Sequence, residues 1–322
     1  MRTLHEVPEV AQLLATILTG EPVTHGALAV IPLLAPNLDD PDWLTLEEAG
    51  ERARITEVSE AGSVPFLKVA NGADQPLLLL DGEELIGAKQ NRILNTTVLV
   101  GAHTEVTIPV SCVEQGRWGY RGRQFSPGDA SLFASLRARK ASRVSQSLRV
   151  GRGHQADQGE VWDLLACRAS ELDVDSPTGA MRDLYARHET DMAAARQALT
   201  AQPGQVGALI YMGTRWVGID LLAGPGLFGR AWPRLCAGYV ADAIGRKPEP
   251  WQRLDGGAVL EALVRGQVEP APAVGLGEEY RLGSGGLAGA ALVAQGRVAH
   301  LMAFPSAEGS GRSASAAPEV NQ

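Results

Sequence analysis

Hydrophobic and polar positions in the first third of the chain alternate on the scale of short strands. The apolar run 26–34 is typical of a buried strand. Further runs at 55–58, 64–69 and 77–80 are separated by Gly, Asn and Asp residues that favour turns. The pattern predicts a strand-rich region over 26–123, folded as a mostly antiparallel sandwich or barrel-like sheet.

Two β-rich runs, 90–100 and 104–113, are joined by a Gly-Ala-His turn and predict a β-hairpin. Pro109 lies inside the second run and has no backbone N–H for a ladder, so we expect it at a sheet edge or a bulge. Upstream of both runs, Thr45 is followed three residues later by Glu48. This capping-box pattern predicts the start of a short helix.

Apolar spacings of three and four residues mark the middle of the chain, 130–200, as helical. They predict helices at 132–148, 161–172 and 181–199. The region 205–305 is mixed. Its predicted strands are 207–212, 216–222, 279–282, 287–293 and 297–304, and its predicted helices are 231–244 and 257–265. We therefore expect one α+β domain over 1–305, while the Ser/Gly/Ala-rich tail 306–322 predicts disorder.

Composition and charge limit the binding partners and the cellular compartment that we expect for this chain. The formal net charge of −8 argues against non-specific binding to nucleic acid or to an anionic membrane. No segment has eighteen consecutive apolar residues, so no membrane span is expected. Cys112, Cys167 and Cys236 form no CxxC pair, which fits a reducing compartment and predicts a cytoplasmic protein. The oligomeric state stays open.

Polar side chains continue from a loop into the interior of one predicted strand, beginning at Asp81. Period-2 alternation places Lys89, Asn91 and Asn95 on one face and Gln90 and Arg92 on the other. Buried amides and guanidinium groups need partners, since an unpaired one costs roughly 1–3 kcal/mol. One interpretation is that a bound anion completes the set, and the alternative is an internal network that only stabilises the sheet.

Three carboxylates are candidates for general acid–base chemistry: Glu83, Glu84 and Glu114. Glu114 extends the apolar face of its strand, where desolvation raises a carboxyl pKa unless a cation compensates. Arg117 follows three residues later, and Arg92 is expected across the hairpin. The alternative for Glu114 is a surface carboxylate at a strand end.

A basic stretch follows the polar strand. Between Arg117 and Arg152 there are nine Lys and Arg residues and one acidic residue, Asp129. Trp118 lies among the arginines at its start, a combination suited to stacking a base and holding a phosphate. This excess of positive charge in an acidic chain favours an anionic ligand. The alternative for the outer members is a solvated helix face over 137–149.

Other sequence features carry weaker hypotheses. Arg215 lies in a predicted hairpin turn and His300 lies inside the last strand, and both are retained as ligand-binding candidates. Cys112 continues an apolar face, so a buried thiol is favoured over a nucleophile. The GxGxxG match at 224–229 contains Pro225, which removes one N–H from a phosphate cradle. No spacing of histidines predicts a metal site, and no sequence motif indicates which cofactor, if any, is bound.

The chain resembles a bacterial family named for its association with ADP-ribosylglycohydrolases and rhodanese-phosphatase-superfamily proteins. The resemblance rests on the segments 81–97 (DGEELIGAKQNRILNTT), 108–118 (IPVSCVEQGRW), 215–222 (RWVGIDLL) and 231–235 (AWPRL). It implies work near ADP-ribose or other phosphorylated nucleotide derivatives, and it assigns no role to the motif residues. The leading hypothesis is a binder or enzyme for such a ligand. The second is a non-catalytic interaction module whose polar cluster is structural.

Overall fold

A computed structural model describes residues 2–60, 62–248 and 254–306. Its eight α-helices over these residues are α1 (Pro8–Thr16), α2 (Leu46–Ala49), α3 (Ala134–Arg149), α4 (Gln158–Glu171), α5 (Met181–Arg187), α6 (Glu189–Ala198), α7 (Pro225–Ala243) and α8 (Gly256–Val264). Two short 3-10 turns, Leu4–Glu6 and Gly50–Arg52, complete the helical elements of this part of the chain.

The strands lie mainly before α3 and after α6. They are β1 (Arg2–Thr3), β2 (Leu18–Thr19), β3 (Val23–His25), β4 (Leu28–Leu34), β5 (Ala53–Glu57), β6 (Phe66–Asn71), β7 (Leu77–Leu79), β8 (Glu83–Gly87), β9 (Arg92–Leu94), β10 (Val98–Val100), β11 (Thr104–Cys112), β12 (Gln124–Ser131), β13 (Gln205–Met212), β14 (Arg215–Leu222), β15 (Gln267–Ala271), β16 (Glu278–Leu282), β17 (Leu287–Ala294) and β18 (Arg297–Pro305).

These strands form a closed barrel and a large open sheet. The barrel has the order β11-β6-β5-β12-β8-β9, and β7 pairs with β10 in a separate ribbon. The ten-stranded sheet has the order β1-β15-β16-β17-β18-β14-β13-β4-β2, with β3 added beside β4. The α+β class with a barrel-like, antiparallel N-terminal part, predicted from the sequence, is confirmed.

Pro109 lies where β11 changes partner within the closed barrel. Residues up to Pro109 pair with β6, and from Val110 onward β11 pairs with β9. The missing N–H of proline is therefore placed at the junction between two ladders. The residue is at neither a free edge nor a bulge, because the barrel closes the sheet there.

The large sheet buries both of its faces, as the near-continuous apolar sequence of its strands requires. In β4, Leu28 and Val30 join a core with α3 and α7, while Ala29, Ile31 and Leu33 join a core with α1 and α8. A third core fills the barrel. Helix α3 therefore lies between the barrel and the sheet, and this position decides the surroundings of its charged residues.

Three predicted elements differ from the structure. The predicted hairpin of 90–100 and 104–113 does not form as a continuous pair, because 90–100 is divided into β9, which pairs with β11, and β10, which pairs with β7. The predicted helix 181–199 is divided at His188, whose backbone (φ −113°, ψ 26°) ends α5 and begins α6. The segment 224–229 forms the start of α7, with Pro225 in the first turn, where a proline is well tolerated. Within the described residues, none of the helices has the length and apolar character needed to cross a membrane. Apart from Ser306, the predicted tail lies outside those residues.

Candidate functional sites

Buried charges connect α3 with the barrel and the large sheet. The members of this central ion network are Asp81, Arg137, Lys140, Asp220, Tyr239 and His300, all of them buried. Arg137 donates to the two carboxylate oxygens of Asp220 at 2.7 and 3.0 Å, and to Asp81 at 3.4 Å. Lys140 donates to Asp81 and, at 2.9 Å, to the carbonyl oxygen of Leu94. Each charge in the network thus has an opposite charge beside it.

His300, predicted to bind a ligand, is part of this network. Its Nδ1 lies 2.7 Å from the Thr97 hydroxyl and its Nε2 lies 2.9 Å from Asp220, so both ring nitrogens have partners inside the protein. Burial opposes ionisation of Asp220, yet Arg137 and His300 hold its pKa well below the ordinary value. Burial lowers the pKa of Lys140 to about 8, although neighbouring Asp81 favours the charged form.

A second buried ionic group surrounds Glu279. Its carboxylate accepts a hydrogen bond from Arg281 at 2.8 Å and lies 2.7 Å from His154 Nε2. Burial opposes ionisation of Glu279, but His154 and Arg281 together lower its pKa. Asn95, another predicted ligand residue, donates to the His154 carbonyl oxygen at 3.0 Å and accepts from Ser111 at 2.7 Å. Asn95 therefore links the barrel to this group.

Glu114 is held by three donors at one end of the barrel. Arg117 donates to its carboxylate at 2.6 Å, the backbone N–H of Asn91 donates at 3.1 Å, and the Thr178 hydroxyl donates at 3.3 Å. Burial alone raises the pKa of a carboxyl group, but here the Arg117 and Asn91 bonds outweigh it and the pKa of Glu114 is lowered. The structure makes Glu114 an ionised anchor for the segment that follows it.

Polar and aromatic side chains also gather at one end of the barrel, where β5 and β11 end and β9 begins. We call this cluster the barrel mouth, and its members are Glu57, Lys89, Arg92, Trp118 and Tyr120. Arg92 Nη1 donates to the backbone and side-chain oxygens of Gln90 at 3.2 and 3.1 Å. Gln90 in turn donates to the Glu114 carbonyl oxygen at 3.0 Å. The predicted residues Lys89, Gln90, Asn91, Arg92, Glu114, Arg117 and Trp118 are thus brought together.

The neighbouring glutamates of β8 have different surroundings. Glu83 accepts a hydrogen bond from the Leu80 backbone N–H at 3.0 Å and lies 3.4 Å from Arg234 Nη2. Glu84 points to the opposite face of the strand, where neither of its carboxylate oxygens has a hydrogen-bond partner among the described residues. Its nearest cation, Arg182, lies 3.6 Å away and is partly exposed.

Glu84 is a buried carboxyl group whose surroundings favour the protonated form near neutral pH. Burial raises its pKa to about 8, and the attraction of Arg182 offsets this only in part. Gly128 packs directly on the carboxylate, since a Cβ there would lie 2.7 Å from Glu84 Oε2. Glu84 and Glu114, two of the three predicted catalytic carboxylates, thus have pKa values moved in opposite directions, a pattern typical of acid–base pairs.

A groove of about 700 Å³ runs along the exposed face of α3. We call it the arginine groove, after the five arginines that line it: Arg139, Arg143, Arg149, Arg215 and Arg246. Arg215, a predicted ligand residue, reaches it from the β13–β14 hairpin. In the described part of the chain, one carboxylate lines the groove: Asp242, which already accepts hydrogen bonds from the backbone and hydroxyl of Ser135 at 2.6 and 2.7 Å.

A glycine-rich turn, residues 283–286, closes one side of this groove. Gly283 allows Arg149 to approach the backbone, because a Cβ there would lie 2.9 Å from Arg149 Nη2. Gly285 and Gly286 have φ values of 68° and 81°, a conformation that glycine adopts without strain. Among the described residues, their amide groups donate no backbone hydrogen bond.

Sequence reasoning missed the central ion network, the arginine groove and Glu57. Arg137 and Lys140 are buried, so the alternative of a solvated helix face over 137–149 is wrong for these two residues. Their helical spacing with Phe133 and Val144 was the available signal, because it places all four on one stripe. Asp220 was detectable as a lone charge within the apolar run 216–222.

The fold and these sites together define an α+β protein that combines a closed antiparallel barrel with a large sheet and carries densely paired buried charges. The chain belongs to the ARPP-1 family, the ARG and Rhodanese-Phosphatase-superfamily-associated Protein domain, whose model matches residues 16–304. The resemblance seen in the sequence motifs is thereby confirmed. No curated protein and no solved structure matches the chain. In the part of the chain that the structure describes, no three His, Cys, Asp or Glu side chains are grouped to hold a metal ion.

Proposed function

We propose that this protein binds a small phosphorylated ligand, a nucleotide derivative of the ADP-ribose type, in the arginine groove. The observation that carries the proposal is the convergence of five arginines on one concave surface where, among the described residues, the single lining carboxylate is engaged by Ser135. Arginine binds phosphate through planar, bidentate hydrogen bonds, so this arrangement suits phosphate oxygens.

Two of these arginines have side-chain hydrogen-bond donors that no described residue uses. The side chains of Arg139 and Arg215 are exposed and form no hydrogen bond or ion pair with other described residues. Arg143 is already oriented by Glu160, at 2.6 Å, and Arg149 by Glu269, at 2.8 Å. Oriented arginines lose less conformational entropy when a ligand binds. Arg139 and Arg215 therefore supply new contacts, while Arg143 and Arg149 form a fixed wall.

Size and charge support the same ligand class. A volume of about 700 Å³ falls within the range of roughly 300–1,000 Å³ that is typical of small-molecule sites. The local positive charge contrasts with the net charge of −8, so an anion is attracted to this surface in particular. In the family description, ARG denotes ADP-ribosylglycohydrolase, which points toward ADP-ribose chemistry. None of the carboxylates predicted as catalytic lines the groove, so the proposal is one of binding.

Isothermal titration calorimetry with ADP-ribose, ADP, pyrophosphate and adenosine tests this proposal. We expect the phosphorylated compounds to bind, and binding to weaken tenfold or more when Arg139→Gln and Arg215→Gln are combined, since each charged hydrogen bond contributes roughly 1.5–3 kcal/mol. Arg187→Gln, an exposed arginine on α5 outside the groove, is the matched control. Equal affinity of the double variant and the control would contradict the proposal.

A second candidate function is a non-catalytic interaction module. It is favoured by the central ion network, in which Asp81 and His300 are matched by protein partners and act structurally. In that case the arginine groove holds an acidic segment of another protein. Competition decides between the two: a Glu-rich peptide that binds while ADP-ribose and pyrophosphate do not displace it supports the interaction module.

A further inference from the structure

Two opposite charges in the barrel mouth have polar atoms without hydrogen-bond partners. Arg92 is fully buried, and its Nε and Nη2 have no partner among the described residues. The Glu57 side chain is 4% exposed, and neither of its carboxylate oxygens has a partner. The nearest atoms of the two groups, Arg92 Nη2 and Glu57 Oε1, are 4.0 Å apart, beyond hydrogen-bond distance.

Strand alternation directs both side chains toward the barrel interior. Glu57 lies two residues after Ile55 on β5, and Arg92 lies two residues before Leu94 on β9. Ile55 and Leu94 both belong to the apolar core of the barrel. Side chains two residues apart on a strand share a face, so Glu57 and Arg92 complete that core at its open end. Ligand sites are common in such barrel mouths.

An aromatic segment covers this end of the barrel. The Trp118 ring lies 6.0 Å from Arg92 Cζ, while the Lys89 ammonium lies 5.0 Å from Trp118 and 5.1 Å from Tyr120. Both rings are about half exposed. The cover is held by Arg117, which donates to the Ala88 carbonyl oxygen at 2.7 Å. The Trp118 ring therefore lies beside the Arg92 guanidinium group and is itself in contact with solvent.

We propose that the barrel mouth is a second ligand site, separate from the arginine groove, for a neutral planar group with a hydrogen-bond acceptor beside a donor. Arg92 Nε and Nη2 donate to the acceptor, and Glu57 accepts from the donor. The charges of Arg92 and Glu57 cancel, which selects against a phosphate and for an uncharged group. The Trp118 ring stacks on its planar face. Primary carboxamides and nucleobase edges both have this chemistry.

Calorimetric titration with nicotinamide, cytidine and adenosine tests the site and distinguishes the carboxamide source from the nucleobase source. We expect at least one of the three to bind. Its affinity is expected to fall about tenfold or more in Glu57→Leu, which removes the acceptor, and in Trp118→Ala, which removes the stacking ring. Trp118 is half exposed, so we expect its replacement to leave the fold intact.

Thermal denaturation of Glu57→Leu shows whether that variant is folded, and Trp118→Ala carries the test if it is not. The double variant Arg139→Gln, Arg215→Gln is the matched control, because it disables the groove and leaves the barrel mouth intact. Retained binding of the neutral compound in that control supports a separate site. Absence of binding by all three compounds to the unmodified protein, or unchanged affinity in Trp118→Ala, overturns the inference without affecting the proposal for the groove.

Discussion

Replacement of Glu84 by Gln should change how stability depends on pH. The carboxyl group is buried, has no hydrogen-bond partner among the described residues, and has its pKa raised by burial from 4.5 to about 8. Between these two pH values the folded protein retains a proton that the unfolded chain has released. The free energy of unfolding therefore falls as pH rises through this window, and the stabilising effect of the proton is complete only below about pH 4.5.

The magnitude follows from the width of the window. A gap of about 3.5 pH units, at about 1.4 kcal/mol per unit, lowers the free energy of unfolding by up to about 5 kcal/mol at pH 8. Glutamine has the shape of the protonated acid and does not titrate. We expect Glu84→Gln to match the unmodified protein near pH 4.5 and to exceed its stability by several kcal/mol at pH 8.

Urea denaturation followed by circular dichroism at pH 5, 6, 7 and 8 measures this difference. Subtracting the free energy of unfolding of one protein from that of the other removes the contributions of all other titrating groups. Glu51→Gln, an exposed glutamate, is the matched control and should give a constant difference. Arg182→Gln should extend the loss of unfolding free energy to higher pH, because Arg182 lowers the pKa of Glu84. A Glu84→Gln difference that stays constant across this pH range would show that burial does not control the carboxyl group.

Three further substitutions test the packing around these sites, each by urea denaturation at fixed pH. Asp220→Asn should destabilise the protein by about 3–5 kcal/mol, because it leaves the buried Arg137 without its bidentate partner; a loss below about 1 kcal/mol would mean that the central ion network contributes little. Gly128→Ala should cost about 1–3 kcal/mol, since its Cβ would overlap Glu84, and an unchanged midpoint would contradict the close packing. Thr45→Ala should cost about 1 kcal/mol through loss of the helix cap, and no loss would count against the capping box.

The sequence predicted the elements that depend on neighbouring residues. The capping box formed by Thr45 and Glu48 is present at the start of α2, because both partners lie within one helical turn. The run 26–34 contains β4, and the strand-rich first third forms a barrel. Residues 89–92 and 114–118 lie together at the barrel mouth, because β9 pairs directly with β11. Periodicity and capping act over a few residues, so the sequence alone contains them.

Only the tertiary structure decided which charges are buried. Arg137 meets Asp220 across 83 positions and Asp81 across 56, so no local pattern shows that this stretch of α3 faces inward. The arginine groove likewise needs Arg215 from a hairpin far along the chain. Glu83 and Glu84 are neighbours in sequence, yet one is near Arg234 and the other has no hydrogen-bond partner among the described residues. The pKa and the accessibility of a side chain depend on desolvation and on charges brought close by folding, and these are properties of the packed chain.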